Sequence, residues 1–324
     1  METRTIGGLK VSAVGLGCNN LGRRLDQAGS NRVVDAALEA GVTFFDTADV
    51  YGDGLSEEYL GRALGPRREE VMIATKFGGT MGGDERRSGA GRRWIEQAIG
   101  ESLSRLGTDR IDLYQLHVPD PEIPVEETLG ALDGLMEDGR VREIGCSNLD
   151  AGQIELAVRT ASVRNLSRFA SVQNQYSLLH REPEEGVLEA CRRHELAFLP
   201  YFPLASGMLT GKYRRGGPPP EGSRLASAER AERFLNDRNF RVVEALEAFC
   251  RERGRTLLEL AVSWLLARPE VASVIAGATK PEQVRANVAA SWELTDQDLA
   301  EVDRITRVAG GLKGGRWANR ELNP

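Results

Sequence analysis

Short apolar runs alternate with amphipathic stretches along most of this chain. Apolar runs bounded by polar residues predict strands at eight places: Val14–Gly17, Thr43–Asp46, Val71–Thr75, Ile111–Leu116, Val141–Cys146, Ser171–Gln173, Leu196–Tyr201 and Ser273–Ile275. Apolar residues three to four apart predict helices between them: Asn31–Ala40, Arg92–Leu106, Val125–Asp138, Asp150–Thr160, Pro183–His194 and Thr256–Ala267. Residues 2–14 contain two short runs around Gly7-Gly8, which predicts a β-hairpin before the alternation begins.

This alternation predicts one α/β domain that spans residues 1–324. Eight strand–helix units in about 300 residues favour a closed parallel barrel. An open doubly wound sheet is the rival, although it usually has fewer strands per domain. Residues 204–237 interrupt the rhythm with many charges and the run GGPPPEG, so we expect a mobile loop on the catalytic face after the seventh strand. The glycine-rich tail from Gly310 is expected to lie over the surface.

Composition narrows the function classes. Apolar residues make up 41% and charged residues 28% of the 324 residues, as in soluble globular proteins. A net charge of −6 gives no reason to expect nucleic-acid or membrane partners. No apolar run approaches the roughly 20 residues of a membrane helix, and the start lacks a signal peptide, so we expect a cytoplasmic protein. Four widely spaced cysteines indicate free thiols, and the three histidines show no metal-site spacing.

The stretch Phe44–Gly61 carries the first candidate chemistry. Asp46 ends a predicted strand, and Tyr51 follows in a glycine-containing loop. Ser56, with acidic residues after it, signals the start of a helix. In a barrel of alternating strands and helices, residues at this end of the strands form the active site. Tyrosine has a reference pKa of about 10, so it needs a nearby cation to act as a proton donor.

Two further polar residues occur near strand ends. Lys76 follows the third predicted strand and His117 follows the fourth. Taken singly, Lys76 could be a surface lysine and His117 a hydrogen-bonded structural histidine. If the barrel closes, both converge on Tyr51 and Asp46, and the buried Asp–Lys pair is expected to lower the pKa of the phenol.

A tyrosine acid beside a lysine suits protonation of a carbonyl oxygen while hydride arrives at the carbon. Hydride transfer of this kind requires a nicotinamide cofactor. No nucleophile elbow of the form G-x-S-x-G occurs in the sequence. The usual dinucleotide fingerprint is also absent, because Gly15-Leu16-Gly17 leads to Asn20 where the third glycine belongs. A cofactor would therefore be held in another way.

These residues belong to a set of motifs that resembles the aldo-keto reductase family, from the N-terminal hairpin to about Ser291. The matching stretches are GLG (15–17), FFDTADVYGDGLSEEYLG (44–61), ATKFG (74–78), DLYQLH (112–117), IGCSN (144–148), QNQYSLL (173–179), PYFPLASGMLTGKY (200–213) and GATKPEQVRANVAA (277–290). The resemblance implies a (β/α)8 TIM barrel that binds NAD(P)H across its C-terminal face without a Rossmann motif. It also implies an oxidoreductase that reduces small aldehydes, ketones or sugar-like carbonyls, or runs in reverse as an alcohol dehydrogenase.

The resemblance assigns a role to each matching position. Tyr51 would be the general acid, Lys76 and Asp46 would tune it, and His117 would orient the carbonyl. Ser147, Asn148 and Gln173 would bind the nicotinamide carboxamide, and Tyr201 would stack on its ring. Leu204, Ser206, Gly207, Leu209 and Lys212 would follow the pyrophosphate. The remaining implied cofactor contacts are Gly17, Cys18, Asn19, Asp46, Phe202, Pro203, Gly277, Ala278, Thr279, Lys280, Gln283 and Asn287, the last six at the adenosine end.

Departures from the family pattern affect cofactor choice and the substrate pocket. The best-known mammalian members carry Lys-Ser and a downstream Arg around the 2′-phosphate, where this chain has Gly277, Ala278 and Gln283. Lys280 and Arg285 are the remaining nearby cations, so we expect NADPH to be preferred, with NADH possible. Asn19 replaces an aromatic residue, which indicates a more polar substrate pocket.

Two other functions fit the same sequence. A redox-sensing regulatory subunit of potassium channels would have the same barrel, cofactor and tetrad but little turnover. The absence of an N-terminal inactivation segment counts against it. A metal-dependent isomerase or lyase would need a cluster of carboxylates and histidines, which only Asp46 and His117 offer. The physiological substrate and the oligomeric state cannot be read from the sequence.

Overall fold

The computed structural model describes residues 1–308, apart from the side chains of residues 228, 229 and 308. The expected surface position of the tail from Gly310 lies outside the described residues. Ten strands run through the described part: β1 (Thr3–Ile6), β2 (Leu9–Ser12), β3 (Val14–Gly17), β4 (Phe44–Asp46), β5 (Met72–Phe77), β6 (Ile111–Leu116), β7 (Val141–Ser147), β8 (Ser171–Gln175), β9 (Ala197–Tyr201) and β10 (Val274–Gly277). Its helices are α1 (Gln27–Glu39), α2 (Leu55–Leu64), α3 (Arg92–Leu106), α4 (Val125–Glu137), α5 (Ala151–Arg164), α6 (Val187–Arg193), α7 (Ala228–Phe234), α8 (Asp237–Glu252), α9 (Leu257–Leu266), α10 (Pro281–Ala289) and α11 (Asp296–Val308).

Eight of the strands close into a parallel barrel. They follow the chain from β3 to β10, and β10 returns to pair with β3 through Val274 and Val14. The strands are almost wholly buried, because apolar side chains fill the interior on one face and meet the surrounding helices on the other. The predicted (β/α)8 barrel is confirmed, and the open doubly wound sheet is excluded.

The predicted N-terminal hairpin is also confirmed. Strands β1 and β2 pair antiparallel. Ile6, Leu9 and Val11 are fully buried and form one hydrophobic cluster with barrel residues that include Phe44 and Leu113. The hairpin therefore closes the end of the barrel from which the strands start. The opposite end of the barrel, where the strands finish, is not covered by the hairpin and can hold a functional site.

Most predicted boundaries lie within two residues of the observed ones, but α5 continues four residues beyond the predicted Thr160, and the sequence interpretation missed α8. Three further differences have a physical reason. Helix α1 begins four residues before the predicted Asn31, because the carboxylate of Asp26 caps it by accepting from the Gly29 amide at 2.7 Å. The predicted helix over 183–194 is divided at Gly186, whose φ of 135° is not helical. Helix α2 is capped by Gly54, and Ser56 instead lies inside its first turn and donates to the carbonyl oxygen of Cys18 at 2.8 Å.

The long segment after β9 lies over the C-terminal end of the barrel, as expected for the seventh strand's loop. It is not without structure: it contains two short 3-10 turns, at Ala205–Thr210 and Arg224–Ala226, and helix α7. Three non-glycine residues between 202 and 206 have positive φ, namely Phe202, Ala205 and Ser206. Such backbone values are uncommon and often accompany functional loops. The mobility of this segment stays a prediction.

Candidate active site

The four predicted catalytic side chains meet at the C-terminal end of the barrel. Asp46 is the last residue of β4, Lys76 lies inside β5, and His117 directly follows β6. Tyr51 stands on the loop between β4 and α2. The Lys76 ammonium lies 5.3 Å from the centre of the Tyr51 ring. The His117 ring meets that same ring edge to face, with the two centres 5.7 Å apart.

A buried ion pair forms the base of this cluster. Lys76 is fully buried, and its Nζ donates to both carboxylate oxygens of Asp46 at 2.8 Å. The third donor of the ammonium goes to the carbonyl oxygen of Thr47 at 2.7 Å. Gln115 and Gln173 also donate to Asp46, at 3.3 and 2.8 Å. Burial alone would lower the pKa of Lys76, but the negative charge of Asp46 and its hydrogen bonds raise it above its ordinary value, so the lysine stays charged.

The pKa of Tyr51 differs from the expectation. Burial raises it above the ordinary value of 10, and the negative charge of Asp46 adds to this increase. Lys76 lowers it, as expected, but does not reverse the effect of burial. Tyr51 therefore keeps its proton at neutral pH, which is the state that a proton donor requires.

His117 is nearly fully buried and holds a neutral ring. Burial lowers its pKa well below 6.5, and the nearby charge of Lys76 lowers it further. Its Nδ1 has no hydrogen-bond partner among the described residues. A neutral imidazole can still donate one N–H, so His117 can bind an oxygen atom without bringing a second positive charge to the site.

A cavity of about 480 Å³ opens above the cluster. It is lined by most of the residues that the sequence predicts: Gly17, Cys18, Asn19, Asp46, Tyr51, His117, Ser147, Asn148, Gln173, Tyr201, Phe202, Pro203, Leu204, Ser206, Gly207, Lys212, Gly277, Ala278, Thr279, Gln283 and Asn287. Three predicted residues do not line it. Lys76 lies beneath Tyr51, Leu209 is fully buried in the hydrophobic core, and Lys280 is exposed at the N-cap of α10.

Polar side chains from β7, β8 and β9 surround the Tyr51 end of the cavity. The Ser147 hydroxyl donates to the carbonyl oxygen of Gln173 at 2.7 Å. The NH₂ of Asn148 donates to the carbonyl oxygen of His117 at 2.9 Å. The amide oxygen of Asn148 accepts from the Tyr201 hydroxyl at 2.7 Å. The NH₂ of Gln173 is used by Asp46. These bonds hold the amides in place beside the tetrad.

The sequence interpretation missed several polar residues at the site. Asn20 donates to the carbonyl oxygen of Ala278 at 3.0 Å and so ties β3 to β10 beside the cavity. Gln115 is a polar residue inside an apolar strand, a signal that could have placed it in the barrel interior with Asp46. Arg23, Arg24 and Arg224 line the cavity from two loops. No periodicity marks loop residues, so nothing in the sequence distinguished these arginines from surface charges.

Residues 1–308 contain neither a candidate metal site nor a helix that could span a membrane. No group of three or more His, Cys, Asp or Glu side chains in that part of the chain could hold a metal ion. The cysteines Cys18, Cys146, Cys191 and Cys250 are buried and free. Among the helices described above, none combines the length and apolarity needed to cross a membrane.

Comparison with known proteins gives a consistent assignment. A model described as Aldo/keto reductase family matches residues 13–307 of the chain. The chain is 36% identical over 319 residues to a probable voltage-gated potassium channel subunit beta of Oryza sativa subsp. japonica, covering 95% of this chain and 96% of that protein. It is 34% identical over 311 residues to the aldo-keto reductase yakc [NADP(+)] of Schizosaccharomyces pombe, covering 93% and 90%.

Solved structures agree with the sequence comparison. The chain superimposes on the glycerol dehydrogenase AKR11B4 from Gluconobacter oxydans with a TM-score of 0.83 at 30% sequence identity. The match covers 96% of this chain and 97% of that one. The fold and the family are therefore supported by both the sequence and the structure comparisons.

Proposed function

The chain belongs to the aldo/keto reductase family, and on that basis we propose that it reduces aldehydes and ketones to alcohols with a nicotinamide nucleotide. Tyr51 donates the proton to the carbonyl oxygen. The observation that carries this proposal is the juxtaposition of a protonated phenol, a buried ammonium and a neutral imidazole at the mouth of one barrel. Sugar-like carbonyls and the reverse oxidation of alcohols fall within the same chemistry.

Each of the four clustered side chains has a proposed role that follows from its charge and position. A bound nicotinamide supplies the hydride that the carbonyl carbon receives. Tyr51 gives its proton to the oxygen, so that no free alkoxide accumulates. The positive charge of Lys76 lowers the free energy of the resulting phenolate, and the carboxylate of Asp46 holds that ammonium in place. The neutral ring of His117 donates to the carbonyl oxygen and orients it toward Tyr51.

The cavity suits an extended dinucleotide. It runs from Tyr51 to residues 277–287 and has amides at one end and a glycine-rich turn along its side. A Cβ on Gly207 would come within 2.8 Å of the Lys212 Nζ, so the turn holds this ammonium close to the backbone where a phosphate can approach. Ser147, Asn148 and Gln173 would hold the carboxamide, Tyr201 would stack on the ring, and Gln283 and Asn287 would hold the adenosine end.

Steady-state turnover tests the proposal. With NADPH and a panel of aldehydes, ketones and open-chain sugars, we expect at least one substrate to reach about 1–10³ per second, the usual range for enzymes. Loss of NADPH absorbance measures the rate, and the alcohol product is identified separately. Rates of no more than a few per hour across the panel would contradict the proposal and support a binding subunit that senses the redox state of its cofactor.

We expect Lys280→Met to reduce the preference for NADPH over NADH by about tenfold, which corresponds to the loss of one charge-assisted bond. The exposed ammonium at the start of α10 is the cation that we assign to the 2′-phosphate. Dissociation constants from quenching of protein fluorescence measure the effect without turnover. Arg285→Gln is the matched control, because the Arg285 guanidinium already lies 3.2 Å from Glu39. Equal affinity of the unmodified protein for both nucleotides would refute the assignment.

A further inference from the structure

The cavity wall is strongly cationic, although the chain as a whole carries a net charge of −6. Asp46 is the only carboxylate among the described lining residues, and Lys76 engages both of its oxygens. Four cationic side chains line the same cavity: Arg23, Arg24, Lys212 and Arg224. The wall therefore has more cationic than anionic side chains among the described lining residues.

Arg23 lies at the Tyr51 end of this cavity. A Cβ on Gly52, the residue after Tyr51, would lie 3.3 Å from Cγ of Arg23, so the stem of the arginine runs along the loop that carries the tyrosine. The same loop reaches residues 277–287 through Asn20, which donates to the carbonyl oxygen of Ala278, whereas Arg23 packs on the loop that carries Tyr51. Arg23 therefore belongs to the part of the cavity where the reacting carbonyl would lie.

The guanidinium of Arg23 has no counter-ion among the side chains that the structure describes. Burial lowers the pKa of Arg23, and the positive charges of Arg230 and Arg24 lower it further. Within the described part of the chain, Arg24 donates only to a backbone carbonyl oxygen, that of Gly222. Arginines that converge without a carboxylate repel one another, and a bound anion removes that repulsion.

Arg224 and Lys212, two other cations of the cavity wall, differ from Arg23 in their surroundings. Arg224 donates to the side-chain oxygens of Asn19 and Asn20 at 3.1 and 3.2 Å. Lys212 lies against the turn at Gly207, where the pyrophosphate of the proposed cofactor would lie. Arg23 is thus the side chain of this group that is left to meet a substrate.

From this arrangement, and resting on the proposed carbonyl reduction, we infer that the preferred substrate is an aldehyde or ketone that carries a carboxylate or phosphate, and that Arg23 binds this anionic group. The planar guanidinium can form two parallel hydrogen bonds to either group. Binding the far end of the substrate in this way would place its carbonyl toward Tyr51 and His117. Arg23 is then a determinant of specificity and takes no part in the proton transfer.

Paired substrates test the inference. 4-Oxobutanoate is compared with its methyl ester, and glyceraldehyde 3-phosphate with glyceraldehyde, so that each pair differs in the anionic group. We expect kcat/KM to be higher for the anionic member of at least one pair, and the better pair identifies the group. Arg23→Gln should lower kcat/KM for that anionic member by about 10- to 100-fold, mostly through KM, and leave its neutral partner unchanged.

The control variant is Arg32→Gln, which removes the same charge from the exposed face of α1. It should change neither member of a pair. Equal kcat/KM for anionic and neutral members in the unmodified protein would overturn the inference, and so would an equal loss on both members in Arg23→Gln. Weaker NADPH binding by Arg23→Gln would also overturn it, because the arginine would then serve the cofactor.

A binding measurement separates this inference from the proposed function. Succinate has carboxylates but no reducible carbonyl, and succinamide has the same length without charge. Calorimetry on the NADPH-loaded protein should show that succinate binds, that succinamide does not, and that Arg23→Gln weakens succinate by at least tenfold. This result supports the anionic site even if no aldehyde is reduced. Turnover of neutral aldehydes without succinate binding would leave the reductase intact and refute the anionic site.

Discussion

Tyr51→Phe should lower kcat for a good aldehyde by about 10²- to 10⁴-fold, the usual contribution of a general acid. The change removes one hydroxyl and keeps the ring that packs against His117 and lies above the Lys76 ammonium. The Lys76–Asp46 hydrogen bonds and those of the amides from β7 and β8 do not involve that hydroxyl. NADPH should therefore quench protein fluorescence with an unchanged dissociation constant while turnover is lost.

A matched control is available on the neighbouring helix. Tyr59 lies on α2, partly buried against the hydrophobic core and outside the cavity lining. Tyr59→Phe removes the same atom and should keep full activity. If Tyr51→Phe retained near-normal kcat with a good aldehyde, the proton would have to come from another group. If it lost cofactor affinity instead, the hydroxyl would be a binding contact.

Lys76→Met should lower both the free energy of unfolding and the activity. Removing one partner of a buried ion pair leaves the other charge uncompensated and costs about 3–5 kcal/mol. Asp46 keeps hydrogen bonds from Gln115 and Gln173, so the lower part of this range is expected. Loss of the ammonium also removes the charge that stabilises the phenolate of Tyr51, which should reduce kcat by about 10²-fold or more. Urea unfolding measures the first effect and NADPH oxidation the second.

A double variant separates the two effects of Lys76. Asp46→Asn together with Lys76→Met removes both charges, so it should be more stable than Lys76→Met alone while remaining as inactive. Lys280→Met is the control for the substitution itself, because Lys280 is exposed and should tolerate methionine without loss of stability. Full activity in the double variant would show that the ion pair only supports the fold.

The barrel could be predicted because its signals are local and repeated. Each strand is a short apolar run, and polar residues mark the places where strands finish. Helix α3 and strands β3 and β6 have the predicted bounds, since both ends are marked by glycine or by a change of polarity. The convergence of Asp46, Lys76 and His117 followed from topology, because parallel strands in a barrel end at one rim.

Other features could not be predicted because they depend on tertiary structure. The sign of the shift at Tyr51 is a balance between burial and two opposite charges, and burial cannot be read from the sequence at a loop position. Ser56 does not cap α2 as the sequence predicts, because its hydroxyl donates to the carbonyl oxygen of Cys18. Cys18 lies 38 positions earlier in the chain, so this bond cannot be read from the local sequence. Arg230, whose positive charge acts on Arg23, lies on α7, a helix inside the segment for which the sequence predicts a loop.

The hairpin closes the base of the barrel, so within residues 1–308 the interior opens at the C-terminal end of the strands. Ile6, Leu9 and Val11 block passage through the interior, so whatever reaches Tyr51 must leave along the route by which it arrived. The alcohol product and the next carbonyl substrate therefore have to use the same opening of the barrel. A fusion partner attached at the amino terminus would lie at the closed base of the barrel, on the opposite side of the molecule from the opening that substrate and product use.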